Sequence, residues 1–219
     1  MEHAELRNEI VSVCLKLTPS GLSRGTSGNV SARATHEGRD GYWITPSGVP
    51  YEALTPQSLL WLALEDTPDE DAFPRPSSEW RFHRDIYRAR PDAQAVVHAH
   101  PPFATALACG RRAIPAFHYM VAAAGGHDLR CADYATFGTQ ELSDAILRAL
   151  AGRTACLIGN HGIVALGAHL QAAFNLAVTV EDLAEQYVRV LQMGEPVLLP
   201  DDEMDRVLEK FKTYGRKKV

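Results

Sequence analysis

The stretch Ala95–His100 constrains the fold more than any other part of the chain. It combines small and β-branched residues with two histidines, and Pro101 stops it, which predicts a buried β-strand. Side chains two positions apart share a face of a strand, so His98 and His100 are expected to point the same way. Two imidazoles there suit a divalent metal ion, but alone they are equally typical of ordinary polar residues at a strand end. A catalytic zinc site takes three protein ligands, so the rest of the chain has to supply one more.

The composition limits the class of protein. Its 219 residues, 46% hydrophobic and 22% charged, predict one globular domain over 1–219 that ends in a mobile tail over about 206–219. The net charge is −5 and the basic residues are scattered, so neither nucleic acid nor a membrane is an expected partner. Without a recognisable signal peptide or transmembrane run, the expected location is the cytoplasm. The four widely spaced cysteines are expected to be small buried thiols in a reducing compartment.

Hydrophobic periodicity, prolines and glycines divide the chain into helices and strands. The longest helix is predicted over 170–193 and the last one over 201–211. Thr139 is expected to cap a helix that runs to Leu150, and Ser77 or Ser78 to cap a helix that runs to about Arg90. The other helices are expected over 5–17 and 103–109, and the strands over 42–44, 59–64, 95–101, 154–159 and 163–166.

Three hydroxyl-rich segments can bind an anion. Two are the glycine turns within 24–33, which leads into a predicted strand, and 45–50; their glycines can direct backbone N–H groups towards one ligand. Taken alone, each is more typical of a plain turn. The third is the helix start at 77–78, where free amides favour phosphate. Glu79 there also has a structural explanation, because a carboxylate near a helix N-terminus is stabilised by about 0.3–1 kcal/mol. His83, one turn later, is expected to pack or to face solvent rather than to bind a metal.

A third imidazole comes from a distant part of the chain. His161 lies in the segment Asn160–Gly162, which follows one predicted apolar strand and precedes another. A tight corner at this point can direct the ring into the space that His98 and His100 share. The chain therefore contains three candidate metal ligands.

These segments, taken in order, resemble the class II aldolase/adducin family, with the greatest likeness to its L-fuculose-1-phosphate aldolases. Each motif is weak alone, but the ordered set spans nearly the whole chain. The stretches that carry the resemblance are Gly25–Ser31, Ile44–Glu52, Ser77–His83, Val96–His100, His118–Met120, Ala122–Gly126, Tyr134–Thr139, Asn160–Gly162 and Glu209–Gly215.

The resemblance implies both a fold and a site. The fold is a single α/β domain with a central, mostly antiparallel sheet covered by helices on both faces, assembled as a homotetramer with active sites at subunit interfaces. The metal is Zn²⁺, held by His98, His100 and His161, with Glu79 near the fourth position. The implied substrate and phosphate pocket consists of Thr26, Asn29, Ser47, Gly48, Ser77 and Ser78, with Phe137 and Tyr214 on the aldehyde side.

The implied activity is the reversible cleavage of a ketose 1-phosphate, such as L-fuculose 1-phosphate, to dihydroxyacetone phosphate and a small aldehyde. Zinc acts as a Lewis acid on the ketose. Tyr119, reaching in from a neighbouring subunit, is the implied base at the hydroxyl beside the breaking bond. Glu79 is the implied acid that protonates the remaining carbon. No lysine lies in a motif that suggests a Schiff base, which favours the metal route.

Other functions share parts of this pattern. Sugar-phosphate 4-epimerases of the same superfamily usually have aspartate where Glu79 stands, which favours the aldolase. Decarboxylases and methylthioribulose-phosphate dehydratases share the three histidines. A non-enzymatic interaction module like the adducin head does not need the zinc ligands, and a zinc hydrolase leaves the phosphate pocket and Tyr119 without a role.

Overall fold

Seven strands form one sheet in the computed structural model, which describes residues 3–69, 71 and 73–213. The strands are β1 (Asn29–His36), β2 (Arg39–Ile44), β3 (Leu60–Ala63), β4 (Ala95–Ala99), β5 (Cys131–Ala132), β6 (Ala155–Ile158) and β7 (Gly162–Gly167). Their order in the sheet is β3-β2-β1-β4-β7-β6-β5, and neighbours are antiparallel except for the parallel pair β5 and β6. The strand predicted around the two histidines is β4, at the centre of the sheet.

Helices cover both faces of this sheet because side chains along its strands alternate. In β4, Ala95, Val97 and Ala99 join one hydrophobic core and Val96 joins the other. The helices are α1 (Ala4–Leu17), α2 (Trp80–Ala89), α3 (Pro102–Cys109), α4 (Gln140–Ala149), α5 (Leu170–Met193) and α6 (Asp201–Phe211), with short 3₁₀ helices at Tyr51–Ala53, Pro56–Ser58 and Tyr119–Ala124. Helices α1, α3, α5 and α6 pack into the first core, and α2 and α4 into the second. The predicted α/β fold is confirmed.

The largest difference from the predicted elements lies at the start of α2. The helix begins at Trp80, and Glu79 occupies the N-cap position at φ −102° and ψ 15°. The prediction that Ser77 or Ser78 caps this helix is therefore wrong. Ser77 Oγ instead accepts a hydrogen bond from the backbone N–H of Glu79 at 3.3 Å, so the two serines form a turn that leads into the helix. Strand β5 is absent from the sequence prediction because two residues show no periodicity.

The cysteines follow their prediction only in part. Cys14 and Cys156 are buried, but Cys131 is half-buried and Cys109 is exposed at the end of α3. The prediction of buried thiols is therefore wrong for Cys109. All four thiols are free of disulfides.

The C-terminal part of the chain contains α6, which has the bounds predicted for it. The mobile tail expected over 206–219 stays a prediction, because residues 214–219 lie outside the described part. Among the residues that the structure describes, no helix combines the length and the apolar character that crossing a membrane requires.

A glycine holds the loop before β1 against the central strand. Gly28 has φ +92°, and a Cβ atom there lies 2.6 Å from the carbonyl oxygen of His98 and 3.1 Å from Tyr51 Oη. Gly25, in the same loop, has φ +64°, but no described atom lies within 4 Å of its Cβ position. Both residues occupy the left-handed region that favours glycine. Of the two, only Gly28 has a second reason to be glycine, because the loop there lies too close to β4 for a Cβ atom.

We expect Gly28→Ala to destabilise the protein more than its matched control, Gly25→Ala. Each substitution adds left-handed strain of about 1–2 kcal/mol, and Gly28→Ala adds a backbone clash that costs about 1–3 kcal/mol. Urea unfolding followed by circular dichroism measures the loss in the free energy of unfolding. Equal losses for the two variants contradict a tight contact with the His98 carbonyl.

Candidate active site

Three imidazoles meet at the end of the central strand. His98 lies in β4, His100 follows the end of that strand, and His161 lies in the corner between β6 and β7. Their ring centroids are 4.8–4.9 Å apart and their planes are inclined by 70–83° to one another. One nitrogen from each ring lies within 4.8 Å of the other two. The structure thus brings together the three histidines predicted as metal ligands.

Gly162 makes room for this cluster. Strand β7 pairs with β4 and aligns Ile163 with Ala99, so the residue after His161 lies against the end of β4. A Cβ atom on Gly162 lies 2.4 Å from the Ala99 carbonyl oxygen and 2.6 Å from Cδ2 of the His100 ring. Any residue other than glycine therefore displaces either the strand or one of the imidazoles.

The Glu79 carboxylate lies directly against two of the three rings, those of His98 and His161. Its Oε2 is 3.0 Å from His98 Nε2, and its Oε1 is 3.2 Å from His161 Nε2. The residue is buried, and Asn29 Nδ2 donates a hydrogen bond to Oε2 at 2.9 Å. Oε1 has no hydrogen-bond partner among the described residues. Burial of a charged oxygen without a hydrogen-bond donor is costly. Because Oε1 also faces imidazole nitrogens, a cation bound at this point would compensate its charge.

The backbone orients the ring of His98. Its Nδ1 lies 2.8 Å from the carbonyl oxygen of Ile163, which can only accept a hydrogen bond. In the neutral ring Nε2 therefore carries the lone pair, and this atom is 2.9 Å from His100 Nε2. A backbone carbonyl at the outer nitrogen is the usual support of a histidine that binds a metal.

The charges within the cluster favour a cation. Burial raises the pKa of Glu79, but the charges of His98 and His161 lower it by more, so the net pKa is well below the usual range. Burial lowers the pKa of His98, yet the neighbouring Glu79 carboxylate outweighs this effect and raises it. Burial and the charge of His98 lower the pKa of His100 to about 3 and that of His161 to about 4. The ionised carboxylate thus favours a positive charge at the neighbouring rings, and a metal ion can supply that charge in place of a proton.

The donor set and its spacing fit a divalent transition metal. Imidazole nitrogens suit zinc, copper, iron and nickel. A tetrahedral zinc ion with bonds of about 2.0–2.1 Å keeps its ligand atoms about 3.3 Å apart. The closest nitrogen–nitrogen and nitrogen–oxygen distances here are 2.9–3.2 Å, so a small inward or outward movement of the side chains accommodates the ion.

One cavity of about 480 Å³ joins this cluster to the segments predicted to bind an anion. Glu79, His100 and His161 line one part of its wall. The predicted substrate residues in the wall are Thr26, Asn29, Ser47, Gly48, Ser77, Ser78 and Phe137. Seven of the eight predicted substrate residues therefore lie around the same space as the metal cluster, and the eighth, Tyr214, is outside the described residues.

Tyr119 has a different position. It opens the 3₁₀ helix Tyr119–Ala124, is 51% exposed, and lines a second cavity, of about 560 Å³, between this helix and α6. Tyr134 and Asn160, to which the sequence analysis assigns no role, line the first cavity. Asn160 has φ +55° and accepts a hydrogen bond from Arg111 Nε at 3.0 Å. Its position just before His161 is the only signal for it in the sequence.

Comparison with known proteins agrees with this geometry. Residues 8–188 match the model of the Class II Aldolase and Adducin N-terminal domain. The chain is 56% identical over 211 residues to the 5-methylthioribulose-1-phosphate/5-deoxyribulose-1-phosphate aldolase of Rhodospirillum rubrum, covering 96% of this chain and 92% of that protein. It is 48% identical over 216 residues to the L-fuculose phosphate aldolase of Escherichia coli K12, covering 98% of each. A solved L-fuculose 1-phosphate aldolase superposes with a TM-score of 0.90 at 40% identity, covering 97% of this chain and 98% of that chain.

The family match extends over more than half of the chain, and the relatives named above align with nearly all of it. Those relatives are named as aldolases, which argues against a non-enzymatic interaction module. The chain therefore belongs to the class II aldolase/adducin family and is an enzyme of the aldolase type, a lyase.

Proposed function

We propose that this enzyme is a zinc-dependent aldolase that cleaves a ketose 1-phosphate reversibly to dihydroxyacetone phosphate and a small aldehyde. One observation carries the proposal: a single cavity joins two imidazoles and the carboxylate of the three-histidine cluster to a cradle of glycines and hydroxyls. This arrangement suits a substrate with a phosphate at one end and a carbonyl group a few atoms away. The relatives from R. rubrum and E. coli are named for substrates of this kind.

In this proposal His98, His100 and His161 hold the zinc ion, and Glu79 lies near the fourth position. A bound zinc ion acts as a Lewis acid that draws electron density from the ketose, a contribution of several kcal/mol. The lowered pKa values of His100 and His161 support their role, because neutral imidazoles offer lone pairs. The hydrogen bond from His98 to Ile163 fixes the third ring.

The proposed phosphate cradle uses amides and hydroxyls rather than cationic side chains. The glycine turns and the Ser77–Ser78 turn before α2 bring such groups to one wall of the cavity. This explains how a protein with a net charge of −5 can bind a phosphorylated sugar. The residues proposed for the cradle are Thr26, Asn29, Ser47, Gly48, Ser77 and Ser78.

Two residues of the chain move protons in the proposed reaction. Tyr119 takes the proton from the hydroxyl beside the breaking carbon–carbon bond, and the aldehyde leaves. The electron pair of the broken bond stays on the ketose fragment, and Glu79, protonated for this step, donates a proton to that carbon to give dihydroxyacetone phosphate. The Tyr119 phenolate has then gained one proton and Glu79 has lost one, and proton exchange with water restores both groups. In the synthetic direction Glu79 removes that proton and Tyr119 returns the other. The position of Glu79 beside the three rings supports this role.

The proposal includes a homotetramer with active sites at subunit interfaces. Tyr119 is half-exposed and lines a cavity separate from that of its own Glu79, which supports its action in the site of a neighbouring copy. Phe137, in the cavity wall, and Tyr214 are proposed to lie beside the departing aldehyde. The cytoplasm is the proposed location of the enzyme.

The substrates of the relatives share the part that becomes dihydroxyacetone phosphate. They differ in the part that becomes the aldehyde, which is a methylthio or deoxy group in one relative and a deoxysugar end in the other. A coupled assay of dihydroxyacetone phosphate release from L-fuculose, 5-deoxyribulose and 5-methylthioribulose 1-phosphates tests the proposal. Release from none of the three, or undiminished release after chelation of metal, overturns it.

We expect His98→Ala to lose most of its bound zinc and most of its aldolase activity while the protein stays folded. Removal of one of three imidazoles leaves too few ligands for a tight site. Metal analysis, activity and circular dichroism measure the three effects together. The control is His36→Ala, which removes an imidazole from the far end of β1 and leaves the zinc content unchanged. Full zinc content in His98→Ala contradicts the ligand assignment.

We expect Glu79→Gln to bind zinc and substrate but to exchange the methylene proton of dihydroxyacetone phosphate at least about 10²-fold more slowly, since removal of a general acid–base group has an effect of this size. Deuterium exchange in heavy water, followed by proton nuclear magnetic resonance (NMR), measures the rate. An exchange rate equal to that of the wild type rules out proton transfer by Glu79.

We expect Ser77→Asp to raise KM for the ketose 1-phosphate about tenfold or more, because a carboxylate in the cradle repels the phosphate. Steady-state kinetics measure KM and kcat. Ser58→Asp adds the same charge in the 3₁₀ helix Pro56–Ser58, outside the cavity wall, and serves as the control. If both variants leave KM unchanged, the phosphate binds elsewhere.

A further inference from the structure

Five buried polar side chains form a continuous line that starts at the Glu79 carboxylate. Asn29 donates to Glu79, and the other side of its amide contacts His83 Nε2. His83 Nδ1 lies 2.6 Å from Ser31 Oγ, which in turn lies 2.7 Å from Tyr87 Oη. All five residues are at most 7% exposed. The line thus connects the proposed acid–base group to the interior of the second hydrophobic core.

Helix and strand periods explain how the line forms. Glu79, His83 and Tyr87 are four residues apart and lie on one side of α2 and its N-cap. Asn29 and Ser31 are two residues apart and lie on one face of β1. Four helical residues rise about 6.0 Å and two strand residues about 6.7 Å. The two sets of polar groups therefore interleave along the contact between helix and strand.

The ionised carboxylate sets the direction of every hydrogen bond in the line. A carboxylate can only accept, so the NH₂ group of Asn29 faces Glu79 and the amide oxygen faces His83. His83 must then donate through Nε2, which in a neutral ring leaves Nδ1 to accept from the Ser31 hydroxyl. Ser31 has given its proton, so it accepts from Tyr87. All four bonds thus donate towards Glu79.

The environment agrees with these protonation states. Burial lowers the pKa of His83 to about 3, so the ring is neutral and carries a single N–H. Burial raises the pKa of Tyr87, so the phenol keeps its proton. Hydrogen bonds that run in one direction polarise one another, which strengthens a line of this kind.

We propose that His83 is a positioning residue, which acts through Asn29 to hold Oε2 of Glu79 and so leaves Oε1 as the oxygen that exchanges the proton with the substrate carbon. The role of the carboxylate rests on the function proposed above, whereas the arrangement of the line does not. Oε1 lacks a hydrogen-bond partner among the described residues, so the proton transfer does not break the line. Without the His83 donor the Asn29 amide is free to rotate, and the carboxylate loses its fixed orientation.

The tautomer of His83 tests the arrangement independently of activity. A long-range ¹H–¹⁵N correlation spectrum of the purified, ¹⁵N-labelled protein distinguishes protonation at Nε2 from protonation at Nδ1. The His83 signals are assigned by their loss in His83→Gln. We expect the proton on Nε2; a proton on Nδ1, or on both nitrogens at neutral pH, overturns the line as drawn.

Two amide variants test the effect on proton transfer. His83→Gln can keep an N–H donor near the position of Nε2, whereas His83→Asn is one carbon shorter and cannot reach Asn29 as well. We expect His83→Asn to slow proton exchange of dihydroxyacetone phosphate about tenfold or more, as for a small misplacement of a reacting group, with zinc content unchanged. His83→Gln should recover much of this loss. Equal losses in both variants, or no loss in His83→Asn, overturn the proposal.

The far end of the line has a matched control. Tyr87→Phe removes the first donor of the line, and Tyr42→Phe removes a buried hydroxyl from the neighbouring ring, 5.2 Å away, that donates to the backbone of Trp80 instead. We expect only Tyr87→Phe to slow the exchange, although both lower stability. Slowing by both variants points to a general effect of destabilisation and overturns the proposal. A wild-type enzyme that exchanges no proton at all instead overturns the proposed function, and the tautomer measurement still decides the arrangement.

Discussion

Burial of the Glu79 carboxylate is the constraint on which the rest of the site depends. A charge removed from water without compensation costs several kcal/mol, so the elements around Glu79 have to supply hydrogen bonds or positive charge. Helix α2 begins directly after Glu79 and fixes the position of its backbone, β1 supplies the Asn29 donor, and β4 supplies His98. The order β1-β4-β7 at the centre of the sheet brings the last of these contributors, His161, to the same point.

Two glycines make that meeting possible. Gly28 lets the loop before β1 lie on the His98 carbonyl, and Gly162 lets β7 lie against the end of β4 beside the His100 ring. Both contacts are shorter than any Cβ atom allows. Close contacts between backbone segments thus position the site, and the backbone that carries its side chains leaves them little freedom to move. Preorganisation of this kind lowers the cost of arranging charges during a reaction.

The sequence predicts the parts of the structure that depend on short, regular patterns. The strand around His98, the cap at Thr139 and the bounds of α6 all follow from local spacing, and the corner at His161 points to the third ring. The family resemblance links these parts into one site. Glu79 as the N-cap residue is missed, because two serines before a helix look like better caps than a carboxylate whose real partner lies 50 residues away.

The polar line behind Glu79 is missed for another reason. His83 and Tyr87 follow Glu79 at helical spacing, which is also the spacing of any buried helix face, and the sequence alone does not align them with Asn29 and Ser31 on a strand. Tyr119 lines a cavity separate from that of its own Glu79, and the role proposed for it needs a second subunit.

The two ends of the cavity differ in how firmly they are held. Ser77 and Asn29 are almost entirely buried, whereas Phe137 is 65% exposed and Tyr134 is 52% exposed. Changes at the inner end disturb hydrogen bonds and core packing, but changes at the rim disturb little besides the surface. Natural selection can therefore alter the exposed rim through single substitutions while the buried part of the wall stays constant, and related proteins on this scaffold can change what the rim contacts without rebuilding the buried residues.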